Sequence, residues 1–326
     1  MKNSLAVIGQ GFVGSSLSTV FAERGFDVYT FDITGKCAPG CHKVNLPETC
    51  QQVLYPERLP QSPFNVRNVT ELVHACEHES KKNFSKVYFV CLPTPMFDDG
   101  EADLSIVEGV LDDLSKEKGE RIAVVKSTVT PGSTEGWNRK YSGTGLRVVF
   151  CPEFLTEANA LDDMRNQTRI ILGGPRPQIN KVRDIFKSAF TTVPIIKTSS
   201  TTAEMVKYFT NIQLAARVVL SCELSQIVNR LDEVGLDIDY DKVVEYAKYD
   251  TRLGGSHMSV PGNDGIMGAR GHCFPKDLAA LIFCAQKLKL SPSLMEAIQK
   301  KNLELVKPED RDWEKMVGRA YRKREK

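Results

Sequence analysis

A chain of 326 residues, 41% of them apolar, can fill two domains of ordinary size and is too short for three. Its 43 basic and 41 acidic side chains nearly cancel, which leaves no positive footprint for a nucleic-acid backbone. No apolar run approaches the roughly 20 residues that cross a bilayer, the opening MKNSLAVIGQG enters a strand without a signal peptide's cleavage region, and nine scattered cysteines suit reduced thiols, so a cytoplasmic protein with no nucleic-acid or membrane partner is expected.

Ser4–Ile8 is a short apolar run that ends at a glycine cluster, and a helical pattern follows over residues 15–24. Further apolar runs stand at 28–31, 87–91, 122–125, 148–150 and 169–172. Continuous apolar strands separated by helical stretches predict parallel strands buried on both faces, the doubly wound α/β arrangement, over residues 1–198. From residue 199 the pattern turns helical. Residues 201–231 read as one long helix, opened by a capping box from Thr201 to Glu204 and stopped at Gly235. A helix over 240–249, a glycine-rich stretch over 254–271 and another helix from about Pro275 complete a helical domain over 199–306. Residues 307–326, with eight basic and five acidic side chains, read as a solvated helical tail.

Gly9-Gln10-Gly11-Phe12-Val13-Gly14 is a G-x-G-x-x-G pattern placed between the first strand and the first helix. Gly9 suits the tight turn, Gly11 lets backbone approach a pyrophosphate, and Gly14 lets helix and strand pack closely, with helix N-terminal amides facing the anion. Asp32 closes the second strand 18 residues after Gly14, where a carboxylate bonds a ribose 2′-hydroxyl and repels a 2′-phosphate. The set predicts a Rossmann-type site for NAD in preference to NADP. Cys91-Leu92-Pro93-Thr94-Pro95 and Lys126-Ser127-Thr128-Val129-Thr130-Pro131 each follow a strand, and as a pair at the carboxyl edge of the sheet they are expected to shape the nicotinamide pocket.

Three clusters carry candidate chemistry. In Gly268-Ala269-Arg270-Gly271-His272-Cys273-Phe274-Pro275-Lys276-Asp277 the proline suits a first helical turn, which sets Cys273 at a helix N-terminus beside His272 and Lys276. Those surroundings lower a thiol pKa from about 8.5 and make a nucleophile. Cys151-Pro152-Glu153-Phe154-Leu155-Thr156-Glu157 brings two carboxylates four residues apart, one turn if helical. In the long helix Lys207 and Asn211, four residues apart, project an ammonium and an amide from one face, and Ala203, Tyr208, Ala215 and Ala216 make that face less polar than a solvated one.

Gly-Gln-Gly-Phe-Val-Gly, Cys-Leu-Pro-Thr-Pro, Ser-Thr-Val-Thr-Pro-Gly, Pro-Glu-Phe-Leu-Thr-Glu, Ala-Glu-Met-Val-Lys-Tyr-Phe-Thr-Asn and Gly-His-Cys-Phe-Pro-Lys-Asp occur in the order seen in the UDP-glucose/GDP-mannose dehydrogenase family, which the chain resembles from residue 1 to about 290. The Phe-Pro-Lys-Asp run most resembles the UDP-glucose 6-dehydrogenase branch. The resemblance implies oxidation of a primary alcohol of a nucleotide sugar, UDP-glucose to UDP-glucuronate for polysaccharide synthesis, by NAD without a metal. It implies that Cys273 attacks the intermediate aldehyde to give a thiohemiacetal and then a thioester, that Lys207 and Asn211 steady the oxyanion, that Asp277 positions a water, and that Glu153 is the base for thioester hydrolysis. It places Thr128 and Glu157 near the nicotinamide and Lys276 near the cofactor and substrate phosphates. Phe154, Leu155, Gly268 and Gly271 become candidate substrate contacts. Arg252 becomes an arginine reaching a neighbouring subunit's substrate, and the long helix a homodimer spine.

The chain also departs from that pattern. Ala269 and Arg270 stand where family members usually carry an aromatic residue and a glycine, and the spacing from Arg252 to Cys273 is several residues longer than usual. Only 53 residues (326 − 273) follow Cys273, so the family's second α/β domain, which grips the nucleotide, is expected to be missing. Two other classes stay open on the sequence: a non-catalytic NAD-binding or assembly module, and a hydroxyacid dehydrogenase of similar build, which needs no cysteine nucleophile. Cys37, Cys41, His42 and Cys50 lack the paired spacing of zinc ribbons, so residues 36–61 are expected to form a loop over the adenine side without metal.

Overall fold

The computed structural model describes residues 4–34, 36–43, 73, 84–262 and 264–324. Its strands are β1 (Ser4–Ile8), β2 (Asp27–Phe31), β3 (His42–Lys43), β4 (Phe84–Val90), β5 (Arg121–Val125), β6 (Leu146–Phe150), β7 (Ile170–Gly173) and β8 (Ile195–Thr198). Among the described residues they form one sheet in the order β3-β2-β1-β4-β5-β6-β7-β8. β1 to β6 pair in parallel, with Val7 opposite Thr30 on one side and Phe89 on the other.

Alternation along these apolar strands feeds two cores at once. Leu5, Val7, Val28, Val87, Phe89 and Val124 point into one, where α1 (Phe12–Glu23) and α5 (Arg176–Ala189) bury Leu17, Phe21, Val182 and Phe186. Ala6, Ile8, Tyr88, Val90, Ala123 and Val125 point into the other, covered by α2 (Ser105–Lys116) and α3 (Ser133–Lys140) through Val107, Leu111 and Trp137. Residues i and i+2 face one side of a strand, so a run without polar interruption can stand only between two helical layers. That is the doubly wound α/β architecture expected.

The all-parallel expectation fails at one place. β7 runs antiparallel to β6, meeting it at Phe150 and Gly173, and β8 then pairs in parallel with β7. The link from β6 to β7 holds a 3₁₀ turn (Glu157–Asn159) and the six-residue helix α4 (Ala160–Arg165). That helix alone spans about 9 Å, less than the roughly 16 Å of a five-residue strand, and the chain re-enters the sheet from the edge at which β6 ends.

The long helix α6 spans Ser200–Glu233, but its start is not the expected capping box. Ser199 Oγ accepts the Thr202 amide at 3.2 Å. Glu204, fully buried, instead accepts the Gly132 and Thr134 amides at 2.6 and 2.8 Å and so caps the N-terminus of α3. Burial pushes the Glu204 carboxyl up, against the pull of those amides. A capping glutamate bonds its own helix only when nothing nearer needs an acceptor, and the uncapped start of α3 does.

The described chain divides into two compact units, one running to Thr94 and resuming over Leu104–Lys207, the other made of Pro95–Asp103 and the residues from Tyr208 on. The division falls inside α6. The second unit holds α7 (Tyr240–Ala247), α8 (Phe274–Lys287), α9 (Ser293–Leu305) and the short α10 (Asp312–Lys315). Residues from 307 on are not a solvated helix. Trp313 and Ala320 are buried with Val306 against Met96 and Met316, Tyr321 bridges to Met96, and Arg322 pairs with Asp103 at 2.7 Å. The basic side chains of this stretch find acids on the 95–103 segment, and the apolar ones supply a satellite core. Among the described residues no helix is long and apolar enough to cross a membrane.

Phe21 sits at the centre of the aromatic cluster under the sheet, 4.9 Å from Phe26, 5.6 Å from Phe89 and 5.7 Å from Phe186 between ring centres. Phe21→Ala is expected to cost about 3–5 kcal/mol, read as a lower urea midpoint by circular dichroism, and a change below about 1 kcal/mol would refute this placement of the core.

Candidate active site

Every loop that leaves β1, β2, β4, β5 or β6 emerges at the carboxyl edge of the sheet, which is where a doubly wound fold places its ligand. After β1, Gly9 donates its amide to the Phe31 carbonyl at 2.8 Å and Gly11 caps α1. A Cβ at Gly14 would stand 1.9 Å from the Gly9 carbonyl oxygen, so helix and turn meet backbone to backbone; at Gly11 it would meet nothing within 4 Å. Gly11 therefore leaves an open cradle over the helix amides of Phe12 and Val13. Asp32 ends β2, its Oδ2 accepting the Gln10 amide at 2.7 Å and its Oδ1 the Thr34 amide at 2.8 Å. This ties the carboxylate to the glycine turn. An open glycine cradle at a helix N-terminus beside a tethered, half-buried carboxylate fits the pyrophosphate and ribose of NAD.

The two proline loops, at the ends of neighbouring strands, are joined by hydrogen bonds. Ser127 Oγ accepts the Leu92 amide at 2.9 Å, and Thr94, next to Pro93, donates its hydroxyl to the Thr128 carbonyl at 2.8 Å. Lys126 is buried, 3.2 Å from the Cys151 carbonyl and 3.6 Å from its thiol. Burial pushes the Cys91 thiol up to about 12, despite the nearby Lys126.

After β6 the chain has no helical turn through Thr156, so Glu153 and Glu157 do not lie one helical turn apart. Glu157 is exposed in the 3₁₀ turn, and Glu153 is buried. Lys207, from the second turn of α6 and also buried, donates to both the Glu153 carbonyl and its Oε1 at 2.8 Å. The Leu155 amide donates to Oε2 at 2.7 Å. Burial acts to raise the Glu153 carboxyl, but the Lys207 ammonium outweighs it, with help from the Leu155 amide, and the carboxyl lies below its ordinary value. The neighbouring Phe154 ring carries the Arg169 guanidinium at 4.0 Å and the Lys207 ammonium at 5.7 Å.

In the second unit Cys273 is the N-cap residue of α8, with Pro275 in the first turn as the sequence suggested. Asp277, 1% exposed, has both oxygens occupied: Asn211 donates to Oδ2 at 2.6 Å and Lys276 to Oδ1 at 2.5 Å. Asn211 comes from α6 one turn after Lys207 and is buried. Arg252 is exposed and grips the Asp250 carboxylate through Nε and Nη2 at 2.9 and 2.5 Å. Gly268 and Gly271 both adopt positive φ, at 91° and 72°. Residues that the sequence did not single out hold this loop: Asn302 bonds Ala269 on both sides, Asp312 accepts the Gly271 amide, and Arg270 pairs with Asp264 at 2.8 Å. Paired backbone bonds from one amide side chain leave no trace in residue spacing. The unusual Arg270 was the only available signal.

Of the cysteine and histidine set near residue 40, Cys50 lies outside the described residues, as do residues 44–61 of the expected adenine loop. Cys37 takes a contact from the Thr30 hydroxyl at 3.2 Å. Among the described residues no group of three or more His, Cys, Asp or Glu side chains is placed to hold a metal ion.

The chain matches the NAD-binding domain of the UDP-glucose/GDP-mannose dehydrogenase family over residues 3–190 and the central domain of that family over residues 201–304. It belongs to this family, and its sheet unit carries the family's NAD-binding domain. It is 28% identical over 90% of its length to UDP-glucose 6-dehydrogenase AglM of Haloferax volcanii, covering 68% of that protein. It is 30% identical over 90% of its length to the UDP-glucose 6-dehydrogenase homologue YtcA of Bacillus subtilis, covering 66% of it. A UDP-glucose dehydrogenase structure from Pyrobaculum islandicum superposes with a TM-score of 0.68 at 26% identity, over 93% of this chain and 68% of that one. The chain thus spans about two thirds of the length of these relatives, and 62% of UDP-glucose 6-dehydrogenase TuaD of Bacillus subtilis.

The Glu153–Lys207 pair makes a prediction with a sign. In the native chain the lowered Glu153 carboxyl adds stability above its unfolded pKa of about 4.3, and that contribution is lost as pH falls through the lower folded value. Lys207→Met removes the ammonium that outweighs burial and leaves the Leu155 amide and Lys126 opposing it, so the folded carboxyl moves up and acidification relieves part of the loss. The variant should lose about 3–5 kcal/mol at neutral pH and recover part of it at about pH 5, measured by urea denaturation. Equal losses at both pH values would contradict the buried ion pair.

Proposed function

We propose that this chain catalyses NAD-dependent, four-electron oxidation of the primary alcohol of a nucleotide sugar, with UDP-glucose the first candidate and UDP-glucuronate the product. The observation that carries the reading is Cys273 at the N-cap of α8 with Asp277, fixed by Asn211 and Lys276, one turn further on. A helix N-terminus favours the thiolate form of a cysteine placed there, which supports the reading of Cys273 as the nucleophile. The glycine cradle and Asp32 would hold NAD, which would supply the hydride acceptor for each of two oxidations.

Between those oxidations the Cys273 thiolate adds to the aldehyde carbon, forming a C–S bond and placing negative charge on the former carbonyl oxygen. Asn211 and Lys207 are the donors for that oxygen. Loss of the second hydride leaves a thioester on Cys273, and water attacks it to give the carboxylate and return the thiol. Glu153 is the base for that water. The Lys207 ammonium holds the Glu153 carboxyl below its ordinary value against the effect of burial, so drawing that ammonium toward an oxyanion would make Glu153 the stronger base.

We place this activity in the cytoplasm and assign the chain a homodimeric state through α6, whose Leu220, Leu224 and Ile227 are exposed at helical spacing. Arg252, exposed and paired with Asp250, would serve a neighbouring copy.

Incubation with UDP-glucose and NAD+ should yield two NADH per sugar and the acid by mass spectrometry. GDP-mannose and UDP-N-acetylmannosamine in the same panel set the substrate class, and no turnover with any nucleotide sugar would overturn the reading. Cys273→Ser should lower acid formation by about three orders of magnitude or more, with no thioester trapped.

A further inference from the structure

The backbone just ahead of Cys273 is held more tightly than a surface loop requires. Asn302 of α9, 5% exposed, accepts the Ala269 amide at 2.7 Å and donates to the Ala269 carbonyl at 2.9 Å, so one side chain satisfies both backbone groups of one residue. Gly268 adopts φ 91°, and a Cβ there would stand 2.4 Å from Val306 Cγ2 and 2.9 Å from Asn302 Oδ1. Backbone at this point is pressed directly on α9. Beyond it, the Gly271 amide donates to Asp312 Oδ1 at 3.2 Å, the same oxygen that accepts the Trp313 amide at 3.0 Å. Arg270 donates through Nε to the Asp310 carbonyl at 2.9 Å, and its other nitrogens reach Asp264 at 2.8 Å and Asp312 at 3.5 Å.

These contacts cover three successive residues of a loop that ends at Cys273. The helix N-terminal field falls off within one turn, so the ionisation of a thiol there depends on ångström-scale placement of its own backbone. A glycine on each side of Ala269-Arg270 would leave that placement loose, and the anchors remove the freedom. Asp310, Asp312 and Trp313 lie outside the part of the chain that matches the central domain of the family, which ends at residue 304. Asp310 and Asp312 meet Arg270.

We propose that Asn302 and Asp312 are positioning residues that fix the 268–272 backbone and thereby hold the Cys273 thiol at the N-terminus of α8. The proposal deepens the reading of Cys273 as nucleophile and rests on it. Neither residue is assigned contact with reacting atoms.

The test is the pH profile of Cys273 alkylation by iodoacetamide in the full chain, followed by mass spectrometry of the Cys273 peptide, so that the other thiols do not contribute. Asn302→Leu removes both bonds at similar volume. Asp312→Ala removes the acceptor for Gly271, and Asp312→Asn keeps it. Expected are a midpoint moved up toward the ordinary value of about 8.5 and a rate at neutral pH reduced roughly fivefold in Asn302→Leu and Asp312→Ala, with near-native behaviour in Asp312→Asn. Wild-type midpoints and rates in folded Asn302→Leu or Asp312→Ala, with near-ultraviolet circular dichroism and NAD binding unchanged, would overturn the proposal. If Asn302→Leu does not fold, the two Asp312 variants decide it. Turnover is measured in parallel: a wild-type chain inactive on nucleotide sugars defeats the dehydrogenase reading while the alkylation comparison still decides the role of the anchors, and an active chain with unmoved midpoints defeats the anchors alone.

Discussion

Strands that are apolar on both faces can exist only between two helical layers, and most of the sheet unit follows from that constraint. Val7 and Ile8, adjacent in β1, enter different cores, so neither face can carry chemistry. A parallel strand buried this way offers only its ends to solvent, and the loops that leave β1, β2, β4, β5 and β6 share one edge. The glycine turn, Asp32, the 91–95 loop, the 126–131 loop and the 151–156 segment are thus grouped by topology before any side chain is chosen. Close-packed backbone at Gly14, where even a methyl group would strike the Gly9 carbonyl, fixes the first of these loops against the sheet.

Charge is handled in both units by saturation. Glu153 takes Lys207 on one oxygen and the Leu155 amide on the other; Asp277 takes Asn211 and Lys276; Glu204 takes two amides of another helix. An unpaired carboxylate at such burial would cost several kcal/mol or neutralise itself. Saturation has a chemical consequence as well. A carboxylate whose partners are few and identifiable changes its basicity when one of them moves, which an acid facing bulk water does not do.

Much of this was legible in the sequence, and the misses have physical causes. Strand positions, the glycine turn with Asp32, the long helix and the N-terminal place of Cys273 come from local spacing, and local spacing is what hydrogen-bond periodicity and turn geometry impose. The reversal of β7 was not legible, because an apolar run such as 169–172 carries no mark of strand direction. Nor was the fate of Glu204: Thr201 to Glu204 satisfies the capping pattern, yet Ser199 caps α6 and the glutamate serves α3, a partner some seventy residues earlier in the chain. Residues 307–324 misled for a similar reason. Their charges read as a solvated face, while the acids that neutralise them, Asp99, Glu101 and Asp103, sit more than two hundred residues away.

The cysteine loop brings these threads together. Its chemistry-bearing residues sit in one contiguous run and were visible at once, but the conformation of that run is set by side chains from α9 and the residues after it. Gly268 can take φ 91° at little cost because it lacks a Cβ, and the same freedom would let the loop leave that conformation. Asn302 resolves the conflict by occupying both hydrogen-bonding groups of Ala269, which makes departure cost two buried bonds. Arg270 has a local role in this loop: it carries the charge that Asp264 and Asp312 pair with. A glycine at that position would leave the two acids without this cation and the Asp310 carbonyl without this donor, so Arg270 ties the loop to the segment that holds it.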